Sequence, residues 1–88
     1  MNHDTIDVGV ASTLVLASCT KRDSLVLEND SDTTIYCSIG KAAVVNEGIR
    51  LNANGGSFTI DKACPTEAIY AIHGGAGTKR LLVSYKQV

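Results

Sequence analysis

The apolar residues of this chain fall into short runs, and their spacing constrains the fold more than any other feature. The runs are rich in Val, Ile, Leu, Thr and Tyr, and Asn, Asp, Gly or Ser separate them roughly every eight to twelve residues. Such runs are typical of an all-β sandwich or barrel, and none has the length of an ordinary helix. The pattern predicts a small antiparallel fold of about seven strands, near residues 13–17, 24–28, 34–39, 48–52, 57–61, 68–73 and 80–86.

The chain has 88 residues, which is enough for one small domain with a modest core. Residues 1–11 are mixed in polarity and precede the first predicted strand, so they are predicted to form an extended N-terminal arm. Residues 12–88 are predicted to form a single β domain. An arm of this kind can become ordered by adding to a sheet edge of a neighbouring molecule, and the alternative is a frayed terminus without a role.

Several predicted strands carry apolar residues on both faces. In residues 25–27, 35–37, 69–72 and 81–83 consecutive side chains are apolar, whereas a strand with one face in water alternates. Because so short a chain has no second layer of helices, the extra face favours burial against another subunit or a larger assembly. The sequence therefore predicts a homo-oligomer, and the residues expected at its assembly interface are Ile6, Val8, Val10, Tyr70 and Tyr85.

Two glycine clusters invite comparison with phosphate-binding loops. Such a loop needs a following helix and the order Lys-Ser/Thr, whereas Thr78 precedes Lys79 here and a β-like run follows. The clusters are instead predicted to be turns, and the segments 48–52 and 57–61 are predicted to pair as a hairpin, since its tight corner needs positive φ. The predicted turn residues are Asn54, Gly55, Gly56, Gly74, Gly75 and Gly77.

Charge and cysteine content name no ligand. Eight Lys and Arg residues against nine Asp and Glu give a formal net charge of −1, without a basic stripe for nucleic acid or anionic lipid. The three cysteines are far apart and include no CxxC pair, so reduced thiols are expected and no metal or cofactor is predicted. With no apolar membrane span and no basic leader, the protein is predicted to be made in the cytoplasm without a membrane partner.

The sequence offers little for catalysis. A nucleophilic thiol needs a nearby general base, and His73 with Cys37 or Cys64 is the pair the chain could assemble. Asp30 and Asp32 share one turn, but the oxygen ligands of a calcium loop do not follow them. A strand-capping histidine, buried or turn cysteines and a solvated turn are the favoured interpretations, and the protein is predicted not to be an enzyme.

The run "LVLENDSDTTIYCSIGKAAVVNEGIRLNANGGSFTID", followed by "EAIYAIHGGAGTKRLLVSY", resembles a group of small virion proteins of tailed bacteriophages. Their pattern has an N-x-S-x-x-x-I-Y turn and strand, G-I-x-L leading to G-G-S, and a final A-I-Y-A-I followed by K-x-L-x-V. The resemblance covers about residues 12–85 and carries no catalytic residue. Three cysteines and a short "KACPT" link depart from the usual form.

The resemblance implies a β-sandwich module located on the virion. The leading expectation is a capsid decoration or cement protein that binds the major capsid protein on the outer shell, as a trimer. A tail, baseplate or fibre module is the alternative within the same biology. From other classes, a carbohydrate-binding module using Tyr70 or Tyr85, and a small hydrolase built on the thiols and His73, remain open.

Overall fold

The computed structural model describes residues 2–60 and 64–87, and in these ranges the chain forms eight strands and no helix. The predicted all-β class is confirmed, and the seven predicted strands are all present, although Asp61, at the end of one of them, lies outside the described residues. The strands are Asn2–Val8 (β1), Thr13–Leu16 (β2), Arg22–Asn29 (β3), Ile35–Ile39 (β4), Ile49–Leu51 (β5), Ser57–Ile60 (β6), Ile69–His73 (β7) and Lys79–Gln87 (β8).

The strands form two four-stranded antiparallel sheets. Sheet A has the order β1-β8-β3-β6, and sheet B has the order β2-β7-β4-β5. Each strand is followed along the chain by one in the opposite sheet, except that β4 and β5 are neighbours within sheet B. This order, in which each sheet combines strands from both halves of the chain, is that of a jelly roll.

The core lies between the two sheets and is built by alternate residues of each strand. Leu27 lies opposite Val83 in sheet A, and Cys37 lies opposite Ala71 in sheet B, so each pair shares one face of its sheet. All four side chains are buried, which identifies these faces as the inner ones. The core cluster comprises Val8, Val15, Leu16, Leu25, Leu27, Ile35, Cys37, Leu51, Ile69, Ala71, Leu81 and Val83.

The N-terminal segment differs from the expected separate arm. Residues 2–8 are extended, but they run antiparallel along β8 of the same chain as an edge strand of sheet A. Val8 is fully buried in the core and Ile6 packs against it, so two apolar side chains anchor the strand. The β domain therefore begins at β1, and the boundary expected at residue 12 falls within the loop between β1 and β2.

The predicted hairpin of residues 48–61 is wrong. β5 pairs with β4 in sheet B, whereas β6 pairs with β3 in sheet A, so the segment between them crosses from one sheet to the other. Asn54 and Gly55 do have positive φ, at 61° and 105°, as expected for a tight corner. A Cβ at Gly56 would overlap the backbone of Asn52, so this glycine is needed for close approach instead.

A buried asparagine holds this corner in place. Asn29, at the end of β3, donates its side-chain amide to the carbonyl oxygens of Thr33 at 2.8 Å and Leu51 at 3.0 Å. Its own backbone N–H donates to Gly56, and its carbonyl oxygen accepts from Gly55, both at 2.8 Å. Since an unpaired buried amide is costly, these contacts tie the corner to both sheets.

Candidate assembly surface

The loop between β4 and β5, residues 40–48, lies over part of the outer face of sheet B. The backbone N–H of Ala43 donates to the Ser12 hydroxyl at 2.9 Å, beside the start of β2. The loop thus reaches across β7 from its origin at β4. Ile72 points to the outer face of β7, since its strand neighbours Ala71 and His73 point inward, yet it is only 8% exposed. The chain itself therefore buries apolar surface that the sequence assigned to a second subunit.

The return of this loop to sheet B depends on backbone conformations that favour Asn and Gly. Asn46 and Gly48 have φ values of 69° and 84°. The Tyr36 hydroxyl donates to the Asn46 side-chain oxygen at 3.0 Å, which fixes the loop over β4. A Cβ at Gly48 would overlap the carbonyl oxygen of Cys37, so only glycine lets the loop rejoin the sheet this closely.

Three large apolar side chains remain exposed around the contact between Ser12 and Ala43. They are Val10, Leu14 and Val44, with exposed fractions of 59%, 52% and 49%. Val10 and Leu14 lie two residues before and after Ser12, and Val44 directly follows Ala43. The hydrogen bond joins the two segments that carry these side chains, and we call the three residues the apolar patch.

The predicted interface residues separate into two groups. Val10 belongs to the apolar patch, and Tyr70 lies opposite Leu14 in the β2–β7 register, half-buried beside the patch. The interface assignment is wrong for Val8, which is fully buried, and Ile6 and Tyr85 pack against the core. Alternation alone could not separate these residues, because a core residue of an edge strand and an interface residue give the same pattern.

Sequence reasoning did not select Leu14 and Val44. Leu14 lies in an uninterrupted "TLVL" run, in which no residue stands out as exposed. Val44 lies in "KAAVVNEG", and this apolar stretch in a loop was a usable signal, because loops normally carry polar side chains. A shallow cleft of about 110 Å³ lies beside Val44, with Lys41 and Glu47 among its lining residues, so the patch has a charged rim.

The outer face of sheet A has a different character. His3 and Ser84 form a side-chain hydrogen bond of 2.6 Å across β1 and β8. Asp30 and Asp32, in the turn after β3, form ion pairs with the first two residues of β8. Lys79 pairs with Asp32 at 2.9 Å, and Arg80 pairs with Asp30 at 3.3 Å. The hydrogen bond from Lys79 lowers the pKa of Asp32. Asp30 and Asp32 are thus engaged with surface cations in a solvated turn.

His73 fixes the corner between β7 and β8. The backbone N–H of Gly75 donates to Nδ1 at 3.1 Å, which assigns the ring proton to Nε2, and Nε2 then donates to the carbonyl oxygen of Gly77 at 2.7 Å. The corner contains the predicted turn residues Gly74, Gly75 and Gly77, of which Gly77 has a φ of 72°. Because both ring nitrogens are engaged and the side chain is fully buried, His73 has no nitrogen free to act as a base.

The environments of the thiols do not favour nucleophilic chemistry with His73. All three cysteines are free, and burial raises the pKa of the Cys37 thiol to about 12. Burial also raises the pKa of Cys64, although Arg22 opposes this effect. A nucleophilic cysteine needs a lowered pKa, so these environments favour unreactive thiols. Within residues 2–60 and 64–87, no group of three His, Cys, Asp or Glu side chains converges as a metal site would require.

Comparison with known protein families, curated proteins and solved structures gives no significant match. In the part of the chain described, no helix is long and apolar enough to cross a membrane. Function is therefore inferred from the surface of the protein and from the sequence resemblance described above.

Proposed function

We propose that the protein is a structural protein of a tailed-bacteriophage virion, and that it decorates the outer capsid shell by binding the major capsid protein through the apolar patch. The observation that carries the proposal is the exposure of Val10, Leu14 and Val44 on two segments that the hydrogen bond between Ala43 and Ser12 joins. Scattered exposed apolar residues are normal, whereas a contiguous group with a polar rim is typical of a protein-binding surface.

The size and position of the patch suit binding in many copies. Three side chains and a shallow cleft provide a small contact, which is weak for a single site. A repeating shell offsets the weakness of the single contact, because an oligomer that binds several positions at once gains avidity. We propose a trimer for this reason, and the resemblance of residues 12–85 to small virion proteins makes the shell the expected partner.

The jelly-roll topology is compatible with this role but does not select it. Jelly rolls occur in viral capsid domains, in lectins and in cupins, so the fold supports the proposal only by analogy. A carbohydrate site would need exposed aromatic rings on one face. Tyr70 and Tyr85 are both half-buried and lie in different sheets, so no observation favours that alternative.

The direct test is to mix the purified protein with capsids that lack decoration. We expect cosedimentation at saturation with hundreds of copies per capsid, and a rise in the temperature at which the shell loses its contents. Binding at only a few copies would instead support a tail, baseplate or fibre module. Absence of binding, with no change in shell stability, would contradict the proposal.

A further inference from the structure

A buried arginine lies at the start of β3, away from the apolar patch. Arg22 is 5% exposed, although its neighbours in "KRD" suggest an ordinary solvated turn. Its Nη1 donates to the carbonyl oxygens of Pro65 at 2.9 Å and Glu67 at 3.1 Å, and its Nη2 donates to that of Ala17 at 2.7 Å. The guanidinium group therefore joins three backbone segments.

These bonds leave the charge of Arg22 without an anionic partner in the described part of the chain. The ion pairs found in residues 2–60 and 64–87 involve Lys79 and Arg80 only. A guanidinium has five N–H groups, and three are engaged with carbonyl oxygens. One N–H of Nη2 remains, together with that of Nε, which is buried without a partner among the described residues. A buried cation in this state is costly unless an anion accompanies it.

Arg22 also lines an open cleft of about 250 Å³. The cleft lies where β2 ends and β3 begins, beside the end of β8, and both apolar and polar residues line it. Leu16 and Tyr85 are among its apolar walls, and Ser18, Cys19 and Gln87 contribute polar atoms. The Gln87 amide donates to the Cys19 sulfur at 3.4 Å, which helps to hold the polar side.

We propose that this cleft binds a carboxylate group carried on a short apolar stem. Arg22 supplies a single positive charge at the wall of the cleft and one N–H of Nη2 that the described residues leave unengaged, and a hydrogen bond from a guanidinium to a carboxylate is charge-assisted and strong. Leu16 and Tyr85 provide surface for the stem. A monoanion matches the single charge, whereas a phosphate dianion would bring a second negative charge that no other described residue lining the cleft balances.

The carboxylate has two sources, a free organic acid or the C-terminal carboxylate of a peptide. Both are tested by titrating the protein while following the Nε–H resonance of Arg22 by ¹H–¹⁵N NMR. The probes are sodium butyrate and a short peptide with a free C-terminus, and the controls are butyramide, the amidated peptide and sodium chloride at equal ionic strength. We expect a saturable shift with at least one carboxylate and none with the controls. The probe that saturates at lower concentration identifies the source.

A tethered carboxylate provides a second test that leaves Arg22 intact. Ser18 is exposed at the cleft, so Ser18→Glu places an anion beside the guanidinium without disturbing the core. We expect Ser18→Glu to abolish the ligand-induced shift, while Ser18→Gln, of nearly equal shape, retains it. No shift with either carboxylate, an equal shift with butyramide or chloride, or equal binding by both variants would overturn the proposal.

Discussion

The outer faces of the two sheets differ in how far the chain itself buries their apolar residues. On sheet B, loop 40–48 lies over the outer face and leaves Ile72 only 8% exposed. On sheet A, Leu82 occupies the corresponding outward position of central strand β8 and stays half-buried, between the polar residues Arg80 and Ser84. Apolar residues on both faces of a strand therefore do not by themselves indicate a subunit interface. In this protein, loop 40–48 of the same chain covers Ile72 on the outer face of sheet B. The apolar side chains that stay exposed are those of the apolar patch, beside this loop.

The largest effect is expected where loop 40–48 rejoins sheet B. Gly48→Ala introduces a Cβ that overlaps the Cys37 carbonyl oxygen at a φ of 84°. We expect a loss of about 3 kcal/mol or more in the free energy of unfolding, measured by urea denaturation. Gly77→Ala is the matched control, since its φ is 72° but nothing lies within 4 Å of the new Cβ, and its cost is expected to be about 1 kcal/mol. Equal losses in both variants would show that the close approach at Gly48 does not matter.

A matched pair of truncations compares the two outer faces directly. Ile72→Ala removes a side chain that the loop covers, whereas Leu82→Ala removes one that stays partly in water. We expect losses of about 2 kcal/mol for the first and less than about 1 kcal/mol for the second. A larger loss in Leu82→Ala than in Ile72→Ala would contradict this prediction, because the outer face of sheet A would then be the more buried of the two.

Alkaline pH is expected to lower the free energy of unfolding through ionisation of Cys37, on the inner face of sheet B. Burial raises the pKa of this thiol from 9.0 to about 12, so the unfolded state loses its proton first. The contribution of the protonated thiol to the free energy of unfolding is complete below pH 9, and it is lost as the pH rises from 9 to about 12. Raising the pH from 7 to 10 should cost about 1 kcal/mol from this thiol.

The effect of Cys37 is isolated by comparison with Cys37→Ala, which has no thiol to ionise. Other titrating groups cancel in the difference between the two proteins. We expect the stability advantage of the wild-type chain, measured by denaturation at both pH values, to shrink by that amount at pH 10. A constant advantage would contradict the burial of the thiol.

A smaller effect is expected at the contact that anchors loop 40–48. Ser12→Ala removes the hydroxyl that accepts from the Ala43 N–H, and we expect a loss of about 1 kcal/mol. Hydrogen exchange at the Ala43 amide should become faster in this variant, while exchange in sheet A stays unchanged. Unchanged protection at Ala43 would mean that other contacts hold the loop over the sheet.

Much of the fold was predictable because the residues of a strand and of its flanking turns indicate the strand locally. Short apolar runs and the turn residues between them, such as Asn54 and Gly55, located seven strands to within a few residues. β1 was missed as a strand because residues 1–11 are mixed in polarity, and its stability comes from pairing with β8 at the other end of the chain. Local pattern carries no information about such a distant partner.

Strand partners and loop paths were the parts that sequence could not supply. The segments around Arg50 and Thr59 look like the two arms of a hairpin, yet each pairs with a strand of a different sheet. The path of loop 40–48 depends on the Ser12 contact, and the burial of Arg22 depends on carbonyl oxygens more than 40 residues away. These long-range contacts decide which apolar residues are exposed, so they also decide the candidate surface.

The most direct test of the central claim compares one substitution on the two outer faces. Leu14→Ser changes the apolar patch, and Leu82→Ser makes the same change on sheet A, so both are cosedimented with undecorated capsids after their folding is verified. We predict that Leu14→Ser weakens binding at least about tenfold, which corresponds to about 1.4 kcal/mol, while Leu82→Ser binds as the wild-type protein does. Full binding by Leu14→Ser, or loss of binding only in Leu82→Ser, would contradict the assignment of the apolar patch as the assembly surface.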